Sequence, residues 1–248
     1  MKKKIVIIII GLLLPVVAYL FIAYHYMYQK IEAGALSVVD TKTEYIIKIS
    51  DDKALNLAYT ALGDSLTAGI GASIYEESYP YLLAQKISKG STSVTLRDRA
   101  YSGARTSDLI ENLLTSAIND KPDVVTMLIG INDVMGNVPK TSFAENYAEI
   151  LKRLKTETKA RILAISIPYI GTKALLLPPY NSYFRHEIVE YNKIIKELAV
   201  ANDVEYVDLY TQTENMFDNE EFFSRDLFHP SAKGYELWAK IIYANFNN

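Results

Sequence analysis

Two segments of this sequence carry the residue types that activate a hydroxyl group for acyl transfer. Ser65 lies in the segment GDSLTAG, and His229 lies in the segment DLFHP, three residues after Asp226. A serine hydroxyl is a poor nucleophile at neutral pH and needs an adjacent base, which is usually a histidine. A carboxylate on the second ring nitrogen fixes the histidine tautomer and stabilises the imidazolium that forms. A single turn could bring Asp226 to the Nδ1 atom of His229, so we predict that these three residues act together.

Two further segments could stabilise the negative charge that develops on a carbonyl oxygen during acyl transfer. Gly103 lies in the segment AYSGA, and Asn132 lies in the segment GIND. An oxyanion needs hydrogen-bond donors that point at it. A glycine lets its backbone N–H approach closely, and an asparagine supplies a side-chain amide donor. We expect the neighbouring Asp64 and Asp133 to brace their loops by hydrogen bonds.

The composition excludes several other kinds of chemistry. The chain has no cysteine, which rules out a thiol nucleophile, a disulfide scaffold and a Cys-ligated zinc or iron–sulfur site. His25 lies at the end of an apolar run, and His186 lies in HEIVE, which lacks the second histidine of a zinc-protease helix. We therefore expect no metal and no cofactor. The net charge of -3 offers no basic stripe, so we also expect no nucleic-acid partner.

The four segments, in this order, resemble the sequence blocks of the SGNH hydrolases, also called the GDSL esterase/lipase family. The resemblance spans about residues 56–246, nearly the whole body of the chain. It implies that Ser65 is the nucleophile, that His229 is the base and that Asp226 is its partner. It also implies that the oxyanion hole consists of the backbone N–H of Ser65, Gly103 and the side chain of Asn132.

The resemblance implies an enzyme that cleaves carboxylic esters. Ser65 would attack the ester carbonyl while His229 takes its proton, and water would then hydrolyse the acyl-enzyme. The substrate would be an acyl lipid or an acylated glycan. An acyltransferase or a deacetylase that acts on cell-envelope glycans or lipids is the alternative. A more remote alternative is an inactive, membrane-tethered binding module.

Alternating strands and helices are predicted to hold the four segments at one edge of a sheet. Five apolar stretches predict strands, at residues 57–62, 94–99, 123–129, 161–167 and 204–209. Helical periodicity predicts helices at residues 79–88, from Ser107, from Thr141, at 187–201 and from Ser231. We therefore predict an α/β fold: a doubly wound, mostly parallel five-stranded sheet with helices on both faces, flavodoxin-like and of the SGNH type. Ligand sites in such sheets lie beyond the carboxyl ends of the strands, where the four segments fall.

An apolar run precedes this body. Lys2, Lys3 and Lys4 are followed by about 20 apolar residues from Ile5 to Tyr24, enough for a transmembrane helix across roughly 30 Å of hydrocarbon. Such lysines stay on the cytoplasmic side, which places the body outside the cell. We predict an uncleaved signal anchor, and hence a single-pass membrane protein with an extracellular catalytic domain. A signal peptide cleaved near Ala33-Gly34-Ala35, followed by secretion, is the alternative.

The sequence predicts three parts and one unusual loop. We divide the chain into a signal anchor or signal peptide at residues 1–28, a stalk at 29–53 and a hydrolase domain at 54–248. The loop at 169–184 contains the apolar stretch LLLPPY and follows the fourth predicted strand. It could wall an acyl pocket or act as a lid, or it could pack on the helices or touch the membrane.

Overall fold

Six strands form one sheet in the part of the chain that the computed structural model describes, residues 2–35, 44–47, 55–88 and 92–246. The strands are β1 (Glu44–Ile47), β2 (Leu55–Gly63), β3 (Thr92–Ala100), β4 (Val124–Leu128), β5 (Arg161–Ile165) and β6 (Glu205–Val207). They lie in the order β1-β3-β2-β4-β5-β6. The strands β2 to β6 pair in parallel, which confirms the predicted five-stranded parallel sheet.

The sixth strand comes from the segment assigned to the stalk. The backbone of β1 pairs antiparallel with β3, from Glu44 opposite Arg97 to Ile47 opposite Val94. An edge strand leaves a row of backbone groups unpaired, and β1 pairs those of β3. Part of the predicted stalk therefore belongs to the sheet, while the domain boundary near residue 54 stays a prediction.

Helices surround the sheet. They are α1 (Lys2–Ala35), α2 (Tyr79–Ile87), α3 (Thr106–Asp108), α4 (Leu114–Asn119), α5 (Ile131–Met135), α6 (Lys140–Glu157), α7 (Tyr180–Ala201), α8 (Leu209–Thr213) and α9 (Ala232–Phe246). A π-helical turn joins α3 to α4, and short 3₁₀ turns lie at residues 75–77, 214–218 and 220–222. Helix α2 packs against α9, and α6 packs against α7. The side chains of β4 are all buried, as expected for a central strand that is covered on both faces.

Helix α7 begins seven residues earlier than the predicted helix. It starts at Tyr180, directly after Pro178 and Pro179, because proline is tolerated at a helix start but not within a helix. Phe184 and Ile188 lie one turn apart on its buried face, which extends the apolar periodicity toward the prolines. The predicted loop at 169–184 therefore ends at Pro179.

The strand order brings the loops that follow β2, β3 and β4 together. The chain leaves β2 for β3 on one side and later returns to β4 on the other, so β2 is the point where the winding reverses. Gly63 pairs in register with Ala100 of β3 and with Leu128 of β4, so the three strands end at one level. Such a switch point is where open α/β sheets bind ligands.

Helix α1 is the one helix among the described residues that is long and apolar enough to cross a membrane. By length and composition it could be a signal anchor or a signal peptide. Its side chains near the middle are mostly exposed in the protein, for example Leu12, Val17 and Phe21. Closer to its end, Ala23 and Met27 are buried against the body.

Candidate active site

A tight turn after β2, the serine turn (residues 63–69), presents Ser65. The backbone N–H groups of Thr67 and Ala68 donate to the carbonyl oxygen of Asp64, at 3.0 and 2.9 Å. The Oδ1 atom of Asp64 accepts the N–H of Leu66 at 2.9 Å, so the side chain braces the turn as predicted. Ser65 is thus held by backbone geometry at the carboxyl end of a central strand.

The histidine loop (residues 223–230) precedes α9 and holds Asp226 and His229 together. Phe223 and Pro230 form an antiparallel bridge at its base, and the N–H of Ser224 donates to the carbonyl of His229 at 2.8 Å. Leu227 at the tip has a φ of 64°, a left-handed conformation that costs energy for a branched side chain. The closed base of the loop enforces this turn between the aspartate and the histidine.

The structure brings Ser65, Asp226 and His229 into one hydrogen-bonded chain. The Nε2 atom of His229 lies 3.0 Å from the Oγ atom of Ser65. Its Nδ1 atom lies 2.6 Å from the Oδ2 atom of Asp226. All three side chains are buried. With the Nδ1 proton donated to the carboxylate, Nε2 is free to accept the serine proton.

Asp226 is surrounded by hydrogen-bond donors. Its Oδ1 atom accepts the Ser224 hydroxyl at 2.7 Å and the N–H groups of Phe228 and His229 at 2.8 and 2.9 Å. Burial alone would raise the pKa of Asp226, but the hydrogen bond and the charge interaction with His229, together with the Phe228 and Ser224 donors, lower it below 3.8. Asp226 is therefore a stable carboxylate at neutral pH.

Ser65, Gly103 and Asn132 line the same cavity, which has a volume of about 500 Å³. In the described part of the chain, the backbone N–H groups of Ser65 and Gly103 make no hydrogen bond. Gly103 has a φ of 85°, which favours glycine there. The Asn132 amide donates to the carbonyl of Ala104 at 2.9 Å, which leaves its second N–H available. The three predicted oxyanion residues thus face one space.

A second buried aspartate ties two of these loops together. Asp133, beside Asn132, accepts the hydroxyl of Thr106 at 2.6 Å and its N–H at 3.1 Å. Thr106 begins α3, directly after the loop that carries Gly103. Burial raises the pKa of Asp133, while the Thr106 donors oppose this rise. As predicted, this aspartate braces loops.

The other two histidines are not among the residues that line this cavity. His186 is exposed on α7, and the ring of His25 stacks on Phe21 within α1 at 6.0 Å. Among the residues that the structure describes, no group of three His, Asp or Glu could hold a metal ion.

One wall of the cavity was not predicted from the sequence. Besides the residues above, α1 contributes Tyr24, Tyr28, Ile31 and Glu32 to its lining. Their spacing of four, three and one residues is typical of a single helix face, a signal that the sequence contains. This spacing alone does not show that the helix face lines the cavity, because that depends on the packing of α1 over the site.

A model of the GDSL-like Lipase/Acylhydrolase family matches residues 61–237. The chain is 27% identical over 216 residues to the spore germination lipase LipC of Bacillus licheniformis, with 77% of this chain and 96% of that protein covered. It is 24% identical over 196 residues to an acetylxylan esterase of Geobacillus stearothermophilus, with 74% and 81% covered. Its fold is similar to that of a lipase/acylhydrolase from Enterococcus faecalis, with a TM-score of 0.63 and 24% identity over 77% of this chain and 95% of that one.

Proposed function

This chain belongs to the GDSL-like lipase/acylhydrolase family and is an ester hydrolase, and we propose that it cleaves carboxylic esters with Ser65 as nucleophile, His229 as base and Asp226 as its partner. The observation that carries the proposal is the continuous chain of contacts from the Ser65 hydroxyl through the His229 ring to the Asp226 carboxylate, at 3.0 and 2.6 Å. Nucleophile, base and orienting carboxylate in this arrangement are the parts that acyl transfer needs.

The reaction proceeds in two halves. The Oγ atom of Ser65 attacks the ester carbonyl as its proton passes to Nε2 of His229, and the tetrahedral oxyanion receives hydrogen bonds from Ser65, Gly103 and Asn132. The C–O bond to the alcohol breaks, and His229 gives its proton to the leaving oxygen. Water then gives a proton to His229 as its oxygen attacks the acyl-enzyme. The C–O bond to Ser65 breaks, His229 returns the proton to the Oγ atom of Ser65, and the acid leaves.

The Asp226 carboxylate holds the imidazole in the tautomer that this sequence needs. Its lowered pKa keeps it negative throughout the cycle, so it stabilises the imidazolium without taking the proton itself. The charge therefore stays on Asp226, and the proton shuttles between Ser65, His229 and the leaving group.

We further propose that α1 is retained as a signal anchor and that the catalytic domain lies outside the membrane. The apolar run and the lysines before it support this orientation. Deacetylation of glycans is a second candidate function, favoured by the similarity to an acetylxylan esterase.

Replacement of the serine tests the proposal. Ser65→Ala should lower kcat for p-nitrophenyl acetate by roughly 10⁴-fold or more, because the nucleophile is removed. Ser116→Ala, at an exposed position on α4, is the matched control and should keep wild-type turnover. If a folded Ser65→Ala protein kept wild-type turnover, the assignment of the nucleophile would be wrong.

A further inference from the structure

We propose that α1 is a permanent wall of the substrate pocket, and that it selects long-chain acyl esters of amphiphiles that reside in the membrane. The inference rests on the proposed function, since it concerns the substrate of that same site. It assigns a role in specificity to Tyr24, Tyr28 and Ile31, which belong to the segment that otherwise only tethers the enzyme.

Helix α1 is docked on the body rather than merely attached to it. Ala23 and Met27 are buried, with Met27 only 1% exposed. The Tyr19 hydroxyl donates to the carbonyl of Pro178 at 2.8 Å, and the Tyr180 hydroxyl donates to the carbonyl of Leu20 at 3.0 Å. These two hydrogen bonds join the start of α7 and the loop before it to α1, near the end of the apolar run.

The last turn of α1 lies directly against the proposed triad. A Cβ atom at Gly34 would stand 1.7 Å from the Oδ2 atom of Asp226, so no larger residue fits there without movement. The absence of a side chain lets the helix backbone cover the carboxylate that orients His229. This close approach fixes the far end of α1 relative to the catalytic residues.

Between these two anchor points, one face of α1 lines the pocket. Tyr24, Tyr28, Ile31 and Glu32 line it from α1, and Met135 and Phe228 are among the residues that line it from the body. Five of these six side chains are apolar or aromatic, whereas Arg105 and Ser102 make another part of the lining polar, and Ser65 opens into the same space. An apolar patch in a pocket of about 500 Å³ gives an acyl chain a surface on which to pack.

The position of this wall places the pocket beside the membrane. Tyr24 is both the last residue of the apolar run and the first α1 residue of the wall. The wall ends at Glu32, eight residues further along the helix, which is about 12 Å at ~1.5 Å per residue. Pro178, Pro179 and Tyr183 are exposed beside the same end of α1. An acyl chain can therefore enter from the bilayer, whereas a soluble polymer would have to pass between the domain and the membrane.

Substitutions in the wall test the inference in the full chain, reconstituted in phosphatidylcholine vesicles. We compare kcat/KM for p-nitrophenyl palmitate with kcat/KM for p-nitrophenyl acetate. Tyr28→Ala and Ile31→Ala should each lower the palmitate-to-acetate ratio roughly tenfold, since each removes apolar contacts that only the long chain makes. Gln29→Ala, exposed on α1 and absent from the pocket, should leave the ratio at its wild-type value.

The docking of α1 can be measured without reference to activity, because the chain has no native cysteine. Met27→Cys should react with a water-soluble maleimide at least roughly tenfold more slowly than Gln29→Cys, since the buried position must first open. Equal rates would show that α1 is undocked and would overturn the inference.

The outcomes separate this inference from the proposed function. If wild-type activity requires Ser65 but the wall variants keep the wild-type palmitate-to-acetate ratio, the esterase assignment stands and the role of α1 is wrong. A preference of the wild-type enzyme for acetate over palmitate in vesicles would also overturn it. Hydrolysis that persists in Ser65→Ala would instead overturn the proposed function.

Discussion

The serine turn and the histidine loop both bury an aspartate beside a proposed catalytic residue, yet the pKa values of the two carboxyl groups are shifted in opposite directions. Asp226 accepts hydrogen bonds from four donors, and its pKa lies below 3.8. The Asp64 carboxyl group accepts one hydrogen bond, from the backbone N–H of Leu66, and its Oδ2 atom has no partner among the described residues. Burial therefore dominates, and it raises the pKa of Asp64 to about 7.

The difference shows that position next to the nucleophile does not make a carboxylate catalytic. Burial disfavours the charged form, and only enough donors reverse this effect. The histidine loop supplies those donors by folding its own backbone around Asp226. The serine turn uses Asp64 to hold its shape, a task that a neutral carboxyl group also performs.

Removal of the negative charge of Asp226 in the histidine loop should have the largest effect on kcat. Asp226→Asn should lower kcat for p-nitrophenyl acetate by roughly 10³–10⁴-fold, because an amide cannot stabilise the imidazolium and favours the wrong tautomer. Steady-state kinetics on the folded variant measure this loss. Asp203→Asn, on the exposed loop after α7, is the control and should match the wild type. A loss below tenfold in Asp226→Asn would mean that its buried charge does not serve catalysis.

Loss of an oxyanion donor should have an intermediate effect. Asn132→Ala should lower kcat by roughly 10²–10³-fold with little change in KM, since the amide is needed mainly in the transition state. The measurement is kcat and KM on the same ester, with circular dichroism to verify the fold. An unchanged kcat would remove Asn132 from the site and leave its contact with Ala104 as its only role.

Replacement of Asp64 in the serine turn by a neutral residue should have the smallest effect on turnover. Its main effect should be on how the free energy of unfolding depends on pH. A buried acid with a pKa raised from 3.8 to about 7 stabilises the fold fully below pH 3.8, and this contribution is lost as the pH rises toward 7. In Asp64→Asn, the free energy of unfolding should therefore fall less between pH 4 and pH 7 than in the wild type. Urea unfolding at several pH values measures the two slopes. Identical slopes would show that Asp64 does not titrate in this range.

Much of the fold and of the candidate site follows from local sequence signals. Apolar runs such as the one at 123–129 predict buried strands, and the turn residues after them mark the strand ends where Ser65, Gly103 and Asn132 lie. The three-residue spacing of Asp226 and His229 also predicts their contact, because one turn is enough to make it.

What the sequence did not predict depends on contacts between distant segments. The short stretch EYII is compatible with a strand, but its place in the sheet depends on the backbone partners that the edge of β3 offers. The left-handed Leu227 is enforced by the closed base of its loop rather than by its residue type. The pocket wall on α1 could not be predicted because it depends on the close approach of Gly34 to Asp226, almost two hundred residues away in the sequence.

Labelling with a fluorophosphonate tests the central claim most directly, because this reagent forms a covalent bond only with an activated serine hydroxyl. We predict a single adduct, located at Ser65 by mass spectrometry of the digested protein. The adduct should be absent from Ser65→Ala and should form much more slowly in Asp226→Asn. Failure of the folded wild-type protein to react, or an adduct on another serine, would contradict the account.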